Sequence, residues 1–69
     1  MTNTAALLSW IHDHGYKLKF VAKTLGITYY GLKKKLDNQS EFKLSEIGKF
    51  MTVLGMTKRE RDHIFFDTM

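Results

Sequence analysis

Apolar side chains recur along this chain at three- and four-residue spacing and never in sustained alternation, a pattern that predicts helices and no strands. Leu7, Leu8 and Ile11, with Trp10 beside them, form the stripe of a first helix that Asn3 or Thr4 can cap. Gly15 stands where a helix-ending residue with positive φ is wanted. Leu18, Val21, Ala22 and Leu25 define a second, short helix ended by Gly26. Thr28 is the natural N-cap of a third, in which Leu32 and Leu36 share a face. Asp37-Asn38-Gln39-Ser40 reads as a polar turn. The stripe of a fourth helix is Leu44, Ile47, Phe50, Met51 and Leu54, closed by Gly55. Thr57 and Glu60 then have the spacing of a capping box, opening a fifth helix that ends near Ile64-Phe65-Phe66. The expected fold is all-α: five short helices in one domain over residues 1–69.

Length and composition narrow the partners. A chain of 69 residues leaves room for one domain. A domain of this size buries only about 60% of the surface its unfolded chain exposes, so small domains lean on disulfides, metals or a partner subunit. Cysteine is absent, which excludes disulfides and thiolate metal sites and leaves a partner chain, in a homodimer or a heteromer, as the expected support. Eleven Lys and Arg against seven Asp and Glu give a formal charge of +4, an excess that favours an anionic partner, nucleic acid first. No apolar run approaches the roughly 20 residues of a membrane span. Met1-Thr2-Asn3-Thr4 lacks the basic region and apolar core of a signal peptide, so a cytoplasmic location is expected.

The informative segment is Val21-Ala22-Lys23-Thr24-Leu25-Gly26-Ile27-Thr28 with Leu32 beyond it. Ala22 is small enough for two helices to approach closely, Gly26 permits the turn, Ile27 plugs the corner, and Leu32 packs back. A helix that must protrude rigidly into a DNA groove needs each of these. The segment resembles the helix-turn-helix of the Cro and CI repressor superfamily, here over about residues 18–36. The likeness continues through Leu36-Asp37-Asn38-Gln39-Ser40-Glu41-Phe42-Lys43-Leu44-Ser45-Glu46-Ile47, Leu54-Gly55-Met56-Thr57 and Ile64-Phe65-Phe66, which look like small Cro-like regulators from temperate phages of Gram-positive bacteria. It covers roughly residues 5–66. It implies a lambda-repressor-like domain that binds double-stranded operator DNA through its third helix.

Several positions depart from the family pattern. Lys17 and Leu18 replace the Thr and polar residue that often open the second helix, Asn38 stands where Gly often follows the third, and Lys43 sits where a Thr would cap the fourth. The third helix opens on Tyr29-Tyr30-Gly31 rather than on the forked polar side chains that match base edges. Helical geometry sets Tyr30 and Lys34 opposite the Leu32/Leu36 face, with Tyr29 and Lys33 beside them. Thr28, Tyr29, Tyr30, Lys33 and Lys34 are the candidates for the groove; Lys17, Lys19, Asn38, Ser40 and Lys43 are the candidates for phosphates. Lys33-Lys34-Lys35 as a run is expected to meet phosphate or base edges in that setting.

An alternative uses the same fold differently. Tyrosine is enriched at protein interfaces, so Tyr29 and Tyr30, or the C-terminal Ile64, Phe65 and Phe66, can instead bind the cognate phage repressor, making the chain an antirepressor. Phe65 and Phe66, like the other aromatics, are expected first as core, and any apolar surface of the tail Ile64-Phe65-Phe66-Asp67-Thr68-Met69 beyond what the core holds would be a dimer contact. His12 and His14 are two apart and point to opposite sides of a helix, unlike a ligand pair at four-residue spacing. No metal, cofactor, small-molecule substrate or Ser-His-Asp constellation is expected, and no enzyme.

Overall fold

The computed structural model describes residues 2–66. Five helices and no strand occur among them: α1 (Thr4–Asp13), α2 (Leu18–Leu25), α3 (Tyr29–Leu36), α4 (Leu44–Thr52) and α5 (Lys58–Arg61), the last running on into a π-helical turn, Asp62–Phe66. The local chemistry sets these limits. Asn3 Oδ1 accepts the Ala6 amide at 3.1 Å and so starts α1. Chain reversals at Gly15, Gly26 and Gly55 use positive φ, and Asn38 alone among the described non-glycine residues does the same, at 61°. Thr57 and Glu60 form the reciprocal capping box that starts α5. At α4 half of such a box is made: Glu46 Oε1 accepts the Lys43 amide at 2.8 Å, while the lysine side chain has nothing with which to accept in return.

Helix α3 packs against α2 and α2 against α4, while α1 meets the π-helical turn. Leu7, Val21, Leu32 and Phe50 lie at the centre of the core, shut off from solvent. Burial of each such side chain is worth about 1.5–3 kcal/mol. Phe50 holds together an aromatic cluster, with its ring centroid 6.0 Å from Phe42 and 5.6 Å from Phe65, and Phe42 and Phe65 5.4 Å apart. Tyr16 ties the α1–α2 connection to this core by donating its hydroxyl to the Leu54 carbonyl at 3.0 Å. The Cα radius of gyration, 10.8 Å, matches the ~11 Å of a compact chain this long.

Three expectations about the core are corrected. Leu8 is exposed, because Leu7, Trp10 and Ile11 set the inward face of α1 and Leu8 is turned about 100° from Leu7. It lines a groove of about 340 Å³ with Ile11, His12, Tyr16 and Leu18. Leu44 is exposed as well, since Glu46 takes the buried place in the first turn of α4. At the C-terminal end, Ile64 and Phe65 are buried within the core and are not surplus apolar surface. The wider π-helical turn brings these two successive side chains inward together, and Phe66 is left half-exposed. The remaining residues of the proposed apolar tail, Asp67, Thr68 and Met69, lie outside the described residues.

Trp10 joins α1 to its surroundings. Its ring stacks on His14 at 4.1 Å and meets Phe50 edge-on at 6.1 Å. Its buried Nε1 finds no acceptor at hydrogen-bond length among the described residues. The Glu60 carboxyl is held below the ordinary carboxylate range chiefly by the Thr57 amide, with smaller help from the Trp10 indole, the Thr57 hydroxyl and the His14 charge. Among the described residues no helix is long and apolar enough to cross a membrane.

Candidate nucleic-acid interface

The segment from Leu18 to Leu36 is a helix, a turn and a second helix. Gly26 ends α2 in the left-handed region at φ 76°, its amide turning back to the carbonyls of Ala22 and Lys23. Ile27 is half-buried against the core, and Thr28 Oγ1 accepts the Gly31 amide at 2.9 Å to start α3. Ala22, Leu25 and Leu32 are buried where the two helices meet. With Leu32 and Leu36 inward, the opposite side of α3 faces solvent.

Helix α3 leaves its candidate residues at the surface to different degrees. Tyr29 is 44% and Tyr30 71% exposed, and Thr28 and Lys33 are exposed with them. Lys34 is half-buried, its Nζ 5.7 Å from the centre of the Tyr30 ring, so that the ammonium and the aromatic face form one unit. The other candidates lie on neighbouring elements and are all exposed. Lys17 and Lys19 open α2, Asn38 and Ser40 lie in the loop after α3, and Lys43 is the N-cap of α4. Among the described residues, none of Lys17, Lys19, Lys33, Lys34 or Lys43 pairs with a carboxylate, which leaves their charges available to an anion.

Lys35 departs from the basic run in which it was placed. It is buried, its Nζ 3.1 Å from Glu46 Oε1, and it donates to the Glu41 carbonyl at 2.9 Å over the ring of Phe42. Glu46 in turn holds the Lys43 amide. A single buried ion pair thus braces the end of α3, the loop carrying Asn38 and Ser40, and the start of α4. Sequence reasoning missed this brace. Its one visible signal is a carboxylate at the third position of α4 with no Ser or Thr in front of it to complete a capping box.

Lys49 is a second residue that sequence reasoning missed: a Cβ built on Gly26 would lie 3.8 Å from its Nζ, which sets a cation from α4 beside the α2–α3 turn. His12 is exposed next to Asp13, and His14 Nδ1 lies 2.8 Å from the Trp10 carbonyl oxygen. The C-terminal candidates are divided: Phe66 is on the surface, Ile64 and Phe65 beneath it. No protein-family model matches this chain, and neither a curated protein nor a solved structure matches it.

Proposed function

We propose that this chain is a DNA-binding domain of the helix-turn-helix class, with α2 and α3 as its two helices and α3 entering the major groove. More particularly, it acts as a Cro-like transcriptional regulator of a temperate phage. The observation that carries this reading is the division of α3: Leu32 and Leu36 fixed in the core, Tyr29, Tyr30 and Lys33 exposed and Lys34 half-buried against Tyr30, with neither lysine paired to a carboxylate among the described residues. The net charge of +4 supports it, as does the likeness of the segment to Cro and CI repressors. Thr28, Tyr29, Tyr30, Lys33 and Lys34 meet the groove, and Lys17, Lys19, Asn38, Ser40 and Lys43 meet the backbone phosphates.

The test is a titration against duplex DNA from the chain's own regulatory region over a range of salt. Each phosphate neutralised contributes about −0.9 to the slope of log K on log salt. A specific site should bind well above unrelated duplex, and Lys33→Ala with Lys34→Ala should weaken binding and flatten the slope by about 1 for each lost phosphate contact. Affinity that ignores salt and does not distinguish the two duplexes overturns the reading.

One observation favours a second reading, the antirepressor. Tyr30, 71% exposed with a lysine against its ring, is a large rigid aromatic of the kind that anchors protein interfaces. In that case a complex forms with the cognate phage repressor in titration calorimetry and Tyr30→Ala abolishes it, while DNA alone is left unbound.

A further inference from the structure

The solvent side of α3 is restricted in its chemistry. From Thr28 to Lys34 the chain holds no Asn, Gln, Asp, Glu or Arg, the side chains whose groups match adenine, cytosine and guanine edges most closely. Thr28 Oγ1 already accepts the Gly31 amide at 2.9 Å, so its free capacity is chiefly that of a donor. Lysine brings three donors and no acceptor. The rest of the exposed surface is aromatic, the rings of Tyr29 and Tyr30. Tyrosine and lysine recur at four-residue spacing, Tyr29 with Lys33 and Tyr30 with Lys34, so each ring has an ammonium-bearing side chain one turn further along. In the second pair the lysine is half-buried and its Nζ lies 5.7 Å from the ring centre.

We propose that Tyr30 and Lys34 select duplexes by the 5-methyl group of a thymine set close to a guanine, and that 5-methylcytosine can stand in for the thymine. The inference rests on the DNA-binding reading and carries it one step further, to the base chemistry recognised. In the major groove thymine offers its methyl to an apolar side chain, and guanine offers O6 and N7, two acceptors, to a donor. A tyrosine ring suits the first and a lysine ammonium the second. Adenine N6 and cytosine N4 are donors, and on this surface they find no carboxylate or amide oxygen to accept from them. The first residues of a recognition helix are those that reach base edges, and Tyr29 and Tyr30 are the first two of α3. The 5.7 Å between the Tyr30 ring centre and Lys34 Nζ falls between one and two base steps of ~3.4 Å. The ring therefore holds the ammonium over a guanine next to, or one beyond, the pair whose methyl it covers. Methylation of cytosine puts a methyl group at the same edge of the base as that of thymine, so this surface registers it.

Selection of sites from a randomised duplex pool by the full chain, followed by base analogues placed in the enriched site, tests it. That site should carry a thymine beside a guanine or one pair removed from it. Uracil in place of the thymine removes the methyl alone and should weaken binding about fourfold, the worth of one buried group of that size. Cytosine at the same position should bind poorly, and 5-methylcytosine should recover about the same fourfold over cytosine. 7-Deazaguanine, which lacks the N7 acceptor, should cost about fivefold or more at the guanine. Tyr30→Phe keeps the ring and should retain the difference between thymine and uracil. Tyr30→Ala, at a position 71% exposed, should keep the wild-type circular dichroism and abolish that difference. Specific, salt-dependent binding that is indifferent to uracil, or a difference that Tyr30→Ala leaves intact, overturns this inference alone and leaves the DNA-binding reading standing. A chain that enriches no site overturns the functional reading, and this inference with it.

Discussion

Lys33, Lys34 and Lys35 are neighbours in sequence with three different surroundings: solvent for the first, the Tyr30 ring for the second, Glu46 and a backbone carbonyl for the third. Removing one partner of a buried pair strands the other charge, typically at a cost of about 3–5 kcal/mol, whereas replacing both by apolar groups is often close to neutral. Lys35→Ala should thus lower the urea midpoint sharply, Lys35→Met with Glu46→Leu should recover most of the loss, and Lys33→Ala should stay within about 0.5 kcal/mol of wild type. The contrast was not legible in the sequence. A run of three lysines reads as one solvated helix end, and the carboxylate that draws the third inward lies on the next helix. Leu8 and Leu44 were misread for the same reason, because periodicity assigns a residue to a stripe without showing whether another element covers it.

At the scale of elements, far more was readable, since helix limits are fixed by neighbours a few residues away. Asn3, Thr28 and the Thr57–Glu60 pair cap as their spacing predicts, and Gly15, Gly26 and Gly55 turn where helix-ending glycines are expected. The π-helical turn was not foreseen, because it answers to the core's need for both Ile64 and Phe65. The α2–α3 connection allows a ranking of substitutions by thermal melting. Gly26→Ala forces a side chain into the left-handed region, at a cost of about 1–2 kcal/mol. Thr28→Ala removes the cap of α3, at a cost of about 1 kcal/mol. In Gly31→Ala the new Cβ would lie 3.2 Å from Thr28 Oγ1, the atom that accepts the Gly31 amide, so the gain in helix propensity of about 0.5–1 kcal/mol is offset by a disturbed cap. That gain should emerge in full when Gly31→Ala is made on a Thr28→Ala background, where the obstructing oxygen is gone.

For the molecule as a whole, acid is the condition whose effect the structure fixes in sign. The Glu60 carboxyl is held below its ordinary range in the folded chain, so its contribution to stability is complete above the unfolded-state value and disappears as pH falls through the folded one. Urea midpoints should decline as pH drops below about 4, and Glu60→Gln should make that decline shallower while lowering the midpoint slightly at neutral pH. Cooperativity has a visible source too: the Asn3 amide donates to the Ile64 carbonyl at 2.8 Å, and Thr2 is buried beside this join. The first turn of α1 is therefore stitched to the last turn described, and fraying at either extremity unpicks the other. A protease that clips the chain before Ile64 should release its opening residues at the same stroke, and hydrogen exchange at the Asn3 amide, far faster in a loose end, should slow to the pace of global unfolding.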